Sequence, residues 1–205
     1  MARHFYEPAR GHGLAHDPFN AIVGPRPIGW ISTVSGSGVR NLAPYSFFNA
    51  FNYTPPIVGF ASLGHKDSVT NIEATEEFCW NLVSRPLAEQ MNTTSAMVDS
   101  AVDEFDLAAL TAGASTVVGA PHVAEAGVVF ECRRSQILQL TSADGVATDT
   151  WLVLGEVVGV HIDSALLVDG SYSTVAGEPV LRGGGPADYY TIGAEQLFRM
   201  HRPQV

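Results

Sequence analysis

At 205 residues the chain has the length of one domain with a substantial core, and its 46% hydrophobic against 16% charged residues excludes a disordered acidic polypeptide. Eleven Lys and Arg stand against 21 Asp and Glu, and the formal net charge of −10 argues against a binder of nucleic acid, which needs a basic footprint. One anionic ligand remains compatible with that charge if local backbone N–H groups and a lysine supply a positive field.

The first residues, Met1 to Glu7, carry no apolar run of the secretory kind, and no window approaches the roughly 18 apolar residues of a membrane-spanning helix. Residues 1–18 hold Gly, His and Pro without periodicity and read as an N-terminal arm, followed by a single domain over 19–205. His12 and His16 have metal-like spacing, but Gly11, Gly13 and Pro18 deny them the helix that spacing needs. The first strand is expected over Ile28–Val34, with Pro27 just ahead of it, where a missing N–H does little harm. Gly36-Ser37-Gly38 then reads as a hairpin turn, since neither a third glycine nor a helix follows.

The segment from Asn41 to Asn49 mixes small polar residues, aromatics and a proline. It is expected to be an irregular loop folded around a flat, polar-edged ligand. A strand follows at Ile57–Leu63, and His65-Lys66-Asp67 leads into a helix over Asp67–Thr75. There Asp67 is the N-cap candidate and Val69 and Ile72 recur at helical spacing. Further on come a strand at Phe78–Ser84, a helix opened by Pro86 and running to Met91, and a helical stretch at Glu104–Leu110. Gly127–Thr141 and Thr150–Ile162 form a long hairpin closed near Ala143-Asp144-Gly145, because Asp-Gly favours a tight turn. Gly183-Gly184-Gly185-Pro186 is loop punctuation, and Ala194–Met200 is the last helical candidate. With no repeated βαβ spacing, the pattern is mainly β: a Greek-key or split β-barrel with a few covering helices.

Cys79 and Cys132 stand singly in strand-like runs with no CxxC spacing, so they read as small buried hydrophobes in a reducing compartment, and the protein as cytoplasmic. No G-x-S-x-G elbow, H-E-x-x-H or P-loop is present, so no hydrolytic nucleophile is visible. What remains is a constellation around residues 32–70. Ser32, Thr33, Asn41, Ser46 and Asn49 offer short hydrogen-bonding groups, and Ala43 and Pro44 allow close backbone approach. Lys66, Ser68 and Thr70 gather a cation and two hydroxyls at a helix start, where free N–H groups favour an anion. Taken singly, Phe47, Phe48 and Phe51 read as core, Lys66 as a surface lysine and Asp67 as a cap.

The order of these residues resembles the flavin reductase-like family along roughly residues 19–192. The landmarks are Pro25-Arg26-Pro27-Ile28-Gly29-Trp30, Asn41-Leu42-Ala43-Pro44-Tyr45-Ser46-Phe47-Phe48-Asn49, and Lys66-Asp67 leading to Asn71-Ile72. Further matches are Phe78-Cys79-Trp80-Asn81-Leu82-Val83, Met91-Asn92-Thr93-Thr94-Ser95, Glu131-Cys132, Gly155 to Ile162 and Asp188-Tyr189-Tyr190. The resemblance implies a homodimeric FMN-binding split barrel (FAD being possible) with the flavin near the subunit interface. It also implies NAD(P)H:flavin oxidoreductase activity that supplies reduced flavin to a separate monooxygenase. The cofactor contacts it implies are Ser32, Thr33, Asn41, Ala43, Pro44, Tyr45, Ser46, Asn49, Ser62, Lys66, Asp67 and Thr70. His161 and Tyr190 are candidates to meet the nicotinamide, although each alone also reads as structural. No catalytic acid, base or metal is implied, because the cofactor carries the hydride chemistry. Two other readings stay open: a carrier taking electrons from another protein, and a flavin-binding protein without turnover.

Overall fold

The computed structural model of the chain describes residues 1–204. In chain order the strands are β1 (Arg26–Pro27), β2 (Gly29–Val34), β3 (Arg40–Tyr45), β4 (Phe48–Asn52), β5 (Ile57–Leu63), β6 (Glu77–Asn81), β7 (Ala112–Gly113) and β8 (His122–Val123). They continue as β9 (Val128–Thr141), β10 (Ala147–Ile162), β11 (Leu167–Val168), β12 (Ser171–Tyr172), β13 (Val180–Arg182) and β14 (Tyr189–Thr191). The α-helices are short: α1 (Phe19–Ile22), α2 (Asp67–Thr75), α3 (Ala88–Thr93) and α4 (Glu104–Leu107). Among the described residues no helix is long and apolar enough to cross a membrane.

Seven strands form one antiparallel sheet in the order β3-β2-β6-β9-β10-β5-β4. The long β9–β10 hairpin is its spine and turns as the Asp-Gly dipeptide dictates: Val146 O accepts from Ser142 N at 2.8 Å, and Gly145 takes a φ of +79°. Register shifts near Gly155 and Gly159 bend these strands, as bulges do, so the sheet curls into a half-barrel. Gly155 is needed there for a second reason. A Cβ on it would lie 2.4 Å from the Phe78 ring, which therefore has room inside the curl.

Alternation along the strands separates two apolar layers. Ile31, Phe60, Phe78, Cys132 and Val153 point into the curl, where Val69 and Ile72 of α2 close the packing. Phe60 and Phe78 meet edge-to-face, with centroids 6.0 Å apart. On the outer side, Trp30 and Leu42 pack with Met91 of α3 and Phe105 of α4. Each such side chain, fully buried, contributes about 1.5–3 kcal/mol. A smaller sheet in the order β1-β13-β14 lies beside the barrel, with Leu181 paired to both Pro27 and Tyr190.

The barrel and the hairpins at Gly36-Ser37-Gly38 and Asp144-Gly145 follow the sequence reading, and four local expectations are corrected. Asn41–Asn49 is largely strand rather than loop, lying in β3 and β4 at the two edges of the sheet. Pro44 is tolerated because β3 is an edge strand, and Asn41 satisfies its amide in a side-chain network. The strand expected over Phe78–Ser84 ends at Asn81, and Ser84 instead forms an isolated bridge to Pro179. The residue flanking α2 is Lys66, with no side-chain cap, and Asp67 is the first helical residue. The last expected helix is reduced to a 3₁₀ turn at Ala194–Gln196, because Leu197, Phe198 and Met200 find nothing to pack against and stay exposed.

Candidate functional site

Sequence order brings β3 across the curl from the start of α2, and α3 with its following loop closes one side. The result is a cleft of about 290 Å³ lined by Asn41, Ala43, Pro44 and Tyr45 on β3, Lys66, Asp67 and Ser68 at the helix start, Thr94 to Val98 on the loop, and Glu104 on α4. A second cavity of about 240 Å³ adjoins it and contains Thr70 and Asn71. Asn41, Asp67 and Glu104 line both cavities and form the waist between them.

The floor is held by a buried amide–hydroxyl network. Asn41 Nδ2 donates to Thr33 Oγ1 at 3.0 Å and to Ser68 Oγ at 2.9 Å, while Asn71 Nδ2 donates to the same Thr33 oxygen at 3.0 Å. These bonds lock α2 against β2 and β3, so the helix start has a fixed aim. Its first N–H groups have no intrahelical acceptor and its dipole is positive there. Lys66 is the one cation among the lining residues and is exposed at the lip. Arg40, close by in sequence, is occupied elsewhere: it pairs with Asp103 and, at 3.1 Å, with Asp106, and these ties hold α4 in place.

Two buried polar groups face the cleft. The Tyr45 ring lies tilted against Phe60, with centroids 4.4 Å apart, and its buried hydroxyl sits beside the Ser62 and Ser68 hydroxyls. Burial pushes the phenol pKa up, so it is a neutral donor at physiological pH. Glu104 is 7% exposed and its Oε2 accepts the Leu42 N–H at 3.0 Å. Burial raises the carboxyl pKa, the Leu42 N–H opposes the rise, and the charges of Asp67 and Asp103 add to it. The arrangement therefore offers donors and a cation at the α2 end, a backbone edge along Ala43–Tyr45, and acceptors at the waist.

Of the expected contacts, Asn41, Ala43, Pro44, Tyr45, Lys66 and Asp67 come together in this cleft, and Thr70 lies in the adjoining cavity. Thr33 lies beneath the floor, as described. Ser62 is fully buried and donates to Gly64 O at 2.8 Å. Ser32 is turned to the outer face, where it donates to Pro121 O at 2.6 Å. Ser46 is half-buried and its carbonyl accepts from Arg26 Nε. Asn49 is exposed and lines a separate apolar groove with Phe47, Phe48 and Phe51. Neither nicotinamide candidate reaches the cleft within one chain. His161 is on β10, with β2, β6 and β9 between it and β3, and it bonds to Glu131. Tyr190 lines a different cavity with Arg85 and Asn92.

Sequence reasoning missed Thr94, Ser95 and Glu104. Thr94 and Ser95 stand in a quoted landmark but carry no distinctive spacing. For Glu104 the available signal is an acid next to Phe105 in the first turn of a short helix capped by Asp103, where the buried face that takes Phe105 also takes Glu104.

A curl of seven antiparallel strands with a helix-start cleft at its rim defines a split barrel, and the comparisons agree. Residues 24–176 match the model of the flavin reductase like domain, and the chain belongs to that family. A protein of Aquifex aeolicus is 36% identical over 151 residues, covering 71% of this chain and 74% of its own. Nitrilotriacetate monooxygenase component B from Bacillus cereus superposes with a TM-score of 0.86 at 26% identity, covering 98% of this chain and all (100%) of that one. A Shewanella frigidimarina protein with a split barrel domain gives 0.79 at 27% identity over 90% of each chain. Family membership supports a flavin-related oxidoreductase.

Proposed function

We propose that the protein binds FMN in the β3–α2 cleft and, as a homodimer, acts as an NAD(P)H-dependent flavin reductase that supplies reduced flavin to a partner monooxygenase. The observation that carries this reading is the convergence of the Asn41–Tyr45 edge and the Lys66–Ser68 helix start on one cleft. The residues fit the group. Lys66 and the first N–H groups of α2 suit a phosphate, and Asn41, Ser68 and Thr94 suit a hydroxyl-bearing chain. Ala43 and Pro44 present a backbone edge to a flat ring, and the buried Tyr45 hydroxyl beside Ser68 backs that edge.

When bound, the flavin supplies the hydride and electron chemistry. The protein's own residues bind, orient and keep water out, and no side-chain acid or base is required of them. The resemblance to a monooxygenase component B supports a separate oxygenase as the consumer of reduced flavin. The test is oxidation of NADH and NADPH by the purified protein with added FMN, read beside its absorbance spectrum. Flavin bands with FMN-dependent nicotinamide oxidation are expected. Flavin bands with no oxidation of either nicotinamide would replace the reductase by an electron carrier, and a protein that takes up no flavin would remove the cofactor itself.

A further inference from the structure

Glu104 has a side chain more than nine-tenths buried, yet it lines both cavities at their waist. Leu42 N–H, on the outer edge of β3, fixes Oε2 at 3.0 Å. Phe105 beside it packs into the outer core, and Arg40 tethers the neighbouring Asp103 and Asp106. The carboxylate is thus fixed through Oε2, on a helix that is itself anchored. Besides Leu42 only the Glu104 N–H acts on it, so among the described residues Oε1 makes no hydrogen bond to another residue and is the acceptor for whatever enters the waist. Its companions there are Asn41, whose amide N–H groups are spent on Thr33 and Ser68, and Asp67. Such a waist offers acceptors and two acidic groups. It suits a segment rich in hydroxyl donors and disfavours a second anion, which goes to Lys66 and the helix start instead.

We propose that Glu104 is a positioning residue that accepts a hydrogen bond from the hydroxyl-bearing chain linking ring and phosphate, so that the site reads a polyol-substituted flavin and not the ring alone. This rests on the reading of the cleft as a flavin site. Glu104 sets where the chain crosses the waist, and thereby how far the ring reaches along the Ala43–Tyr45 edge.

The experiment compares FMN, riboflavin and lumiflavin, which carries a methyl group in place of the ribityl chain, by fluorescence titration of the full-length protein. The wild type should bind riboflavin at least about tenfold more tightly than lumiflavin, the loss of a charge-assisted hydrogen bond being of that order. Glu104→Gln keeps the carbonyl that holds Leu42 N–H and turns an NH₂ donor toward the waist. It should weaken FMN and riboflavin by roughly tenfold or more, leave lumiflavin within about threefold, and leave the urea midpoint of the free protein in place. Equal wild-type affinity for riboflavin and lumiflavin overturns the proposal without any variant. So does a Gln variant that binds all three as the wild type does, or that loses the same factor for each. A wild type that binds none of the three removes the flavin reading itself, a result distinct from these.

Discussion

Trp30 donates its indole N–H to Thr94 Oγ1 at 3.0 Å, joining residues 64 positions apart. Trp30 is fully buried on the outer face of β2, and the Thr94 hydroxyl in turn donates a hydrogen bond to Met91 O at 2.8 Å. The loop that walls the cleft is thus pinned to the barrel at its first residue. Trp30→Phe removes the donor and leaves a void beside Met91 and Leu87. We expect a loss of about 2–4 kcal/mol in urea unfolding. Amide exchange in residues 94–98 should quicken more than in β9 and β10, and equal protection in both regions would separate the loop from this anchor.

Lys66 tests the phosphate end. With FMN seated as proposed, Lys66→Ala would remove one charge-assisted contact, worth about 1.5–3 kcal/mol. FMN affinity should fall by roughly ten- to a hundredfold, whereas riboflavin, lacking the phosphate, should lose little. Equal losses for the two ligands in a binding titration would take Lys66 out of this role.

Glu131 is a buried carboxylate without a place in the cleft. Its oxygens accept from Thr116, Val117 and Val118 N–H at 2.8, 2.6 and 3.0 Å, and from the His161 ring. Burial alone would raise its pKa, but the His161 bond and the three backbone donors outweigh that and bring it to about 2. A depressed carboxylate stabilises the fold fully above its ordinary value of 4.5, and that stabilisation is lost as pH falls toward 2. Glu131→Gln turns an NH₂ toward donors whichever way the amide sits, and should cost about 3 kcal/mol at neutral pH. It should also flatten the acid limb of a stability-versus-pH curve. An unchanged limb would assign acid unfolding to other carboxylates.

The barrel was legible because its signals are local. The alternation in β9, the Asp144-Gly145 turn and the Val69/Ile72 spacing each specify one element without help from afar. The edge strands were not, since what lets Asn41 and Pro44 lie in a strand is an exposed sheet edge and a network with Thr33, Ser68 and Asn71, all set by tertiary pairing. The cleft was half legible for the same reason. Lys66 and the β3 residues advertise themselves by type and order, whereas Thr94 and Glu104 arrive from segments 24 or more residues beyond α2's first turn, through contacts with Trp30 and Leu42. Ser32 shows the converse. Its alternation with Thr33 turns it outward to Pro121, a choice of face that residue type does not reveal.

Assembly is open to a direct measurement. Phe51, Tyr53, Leu63, Phe198 and Met200 are all more than half exposed, an unusual load of large apolar side chains for a lone chain. Neither His161 nor Tyr190 reaches the cleft of its own chain, so a nicotinamide contact from either would have to come from a second copy. Sedimentation at micromolar concentration should give a mass near twice 21.8 kDa. A monomer with full flavin occupancy would show that one chain completes the site.

His161 decides between a structural and a kinetic role. An ionised carboxylate only accepts, so the His161 Nε2–H donates to Glu131 Oε1, and the ring stacks on His122 at 5.3 Å. These contacts help to hold the 115–121 segment on the sheet, far along the strand order from β3. His161→Ala should therefore destabilise the protein by about 1–3 kcal/mol, because a buried acceptor loses a donor. At saturating flavin and nicotinamide its turnover should stay within about threefold of wild type. A rise in nicotinamide KM with turnover unchanged would place His161 in ground-state binding. A fall of tenfold or more in turnover, with the variant folded, would mean that it stabilises the transition state, and the structural assignment would be overturned.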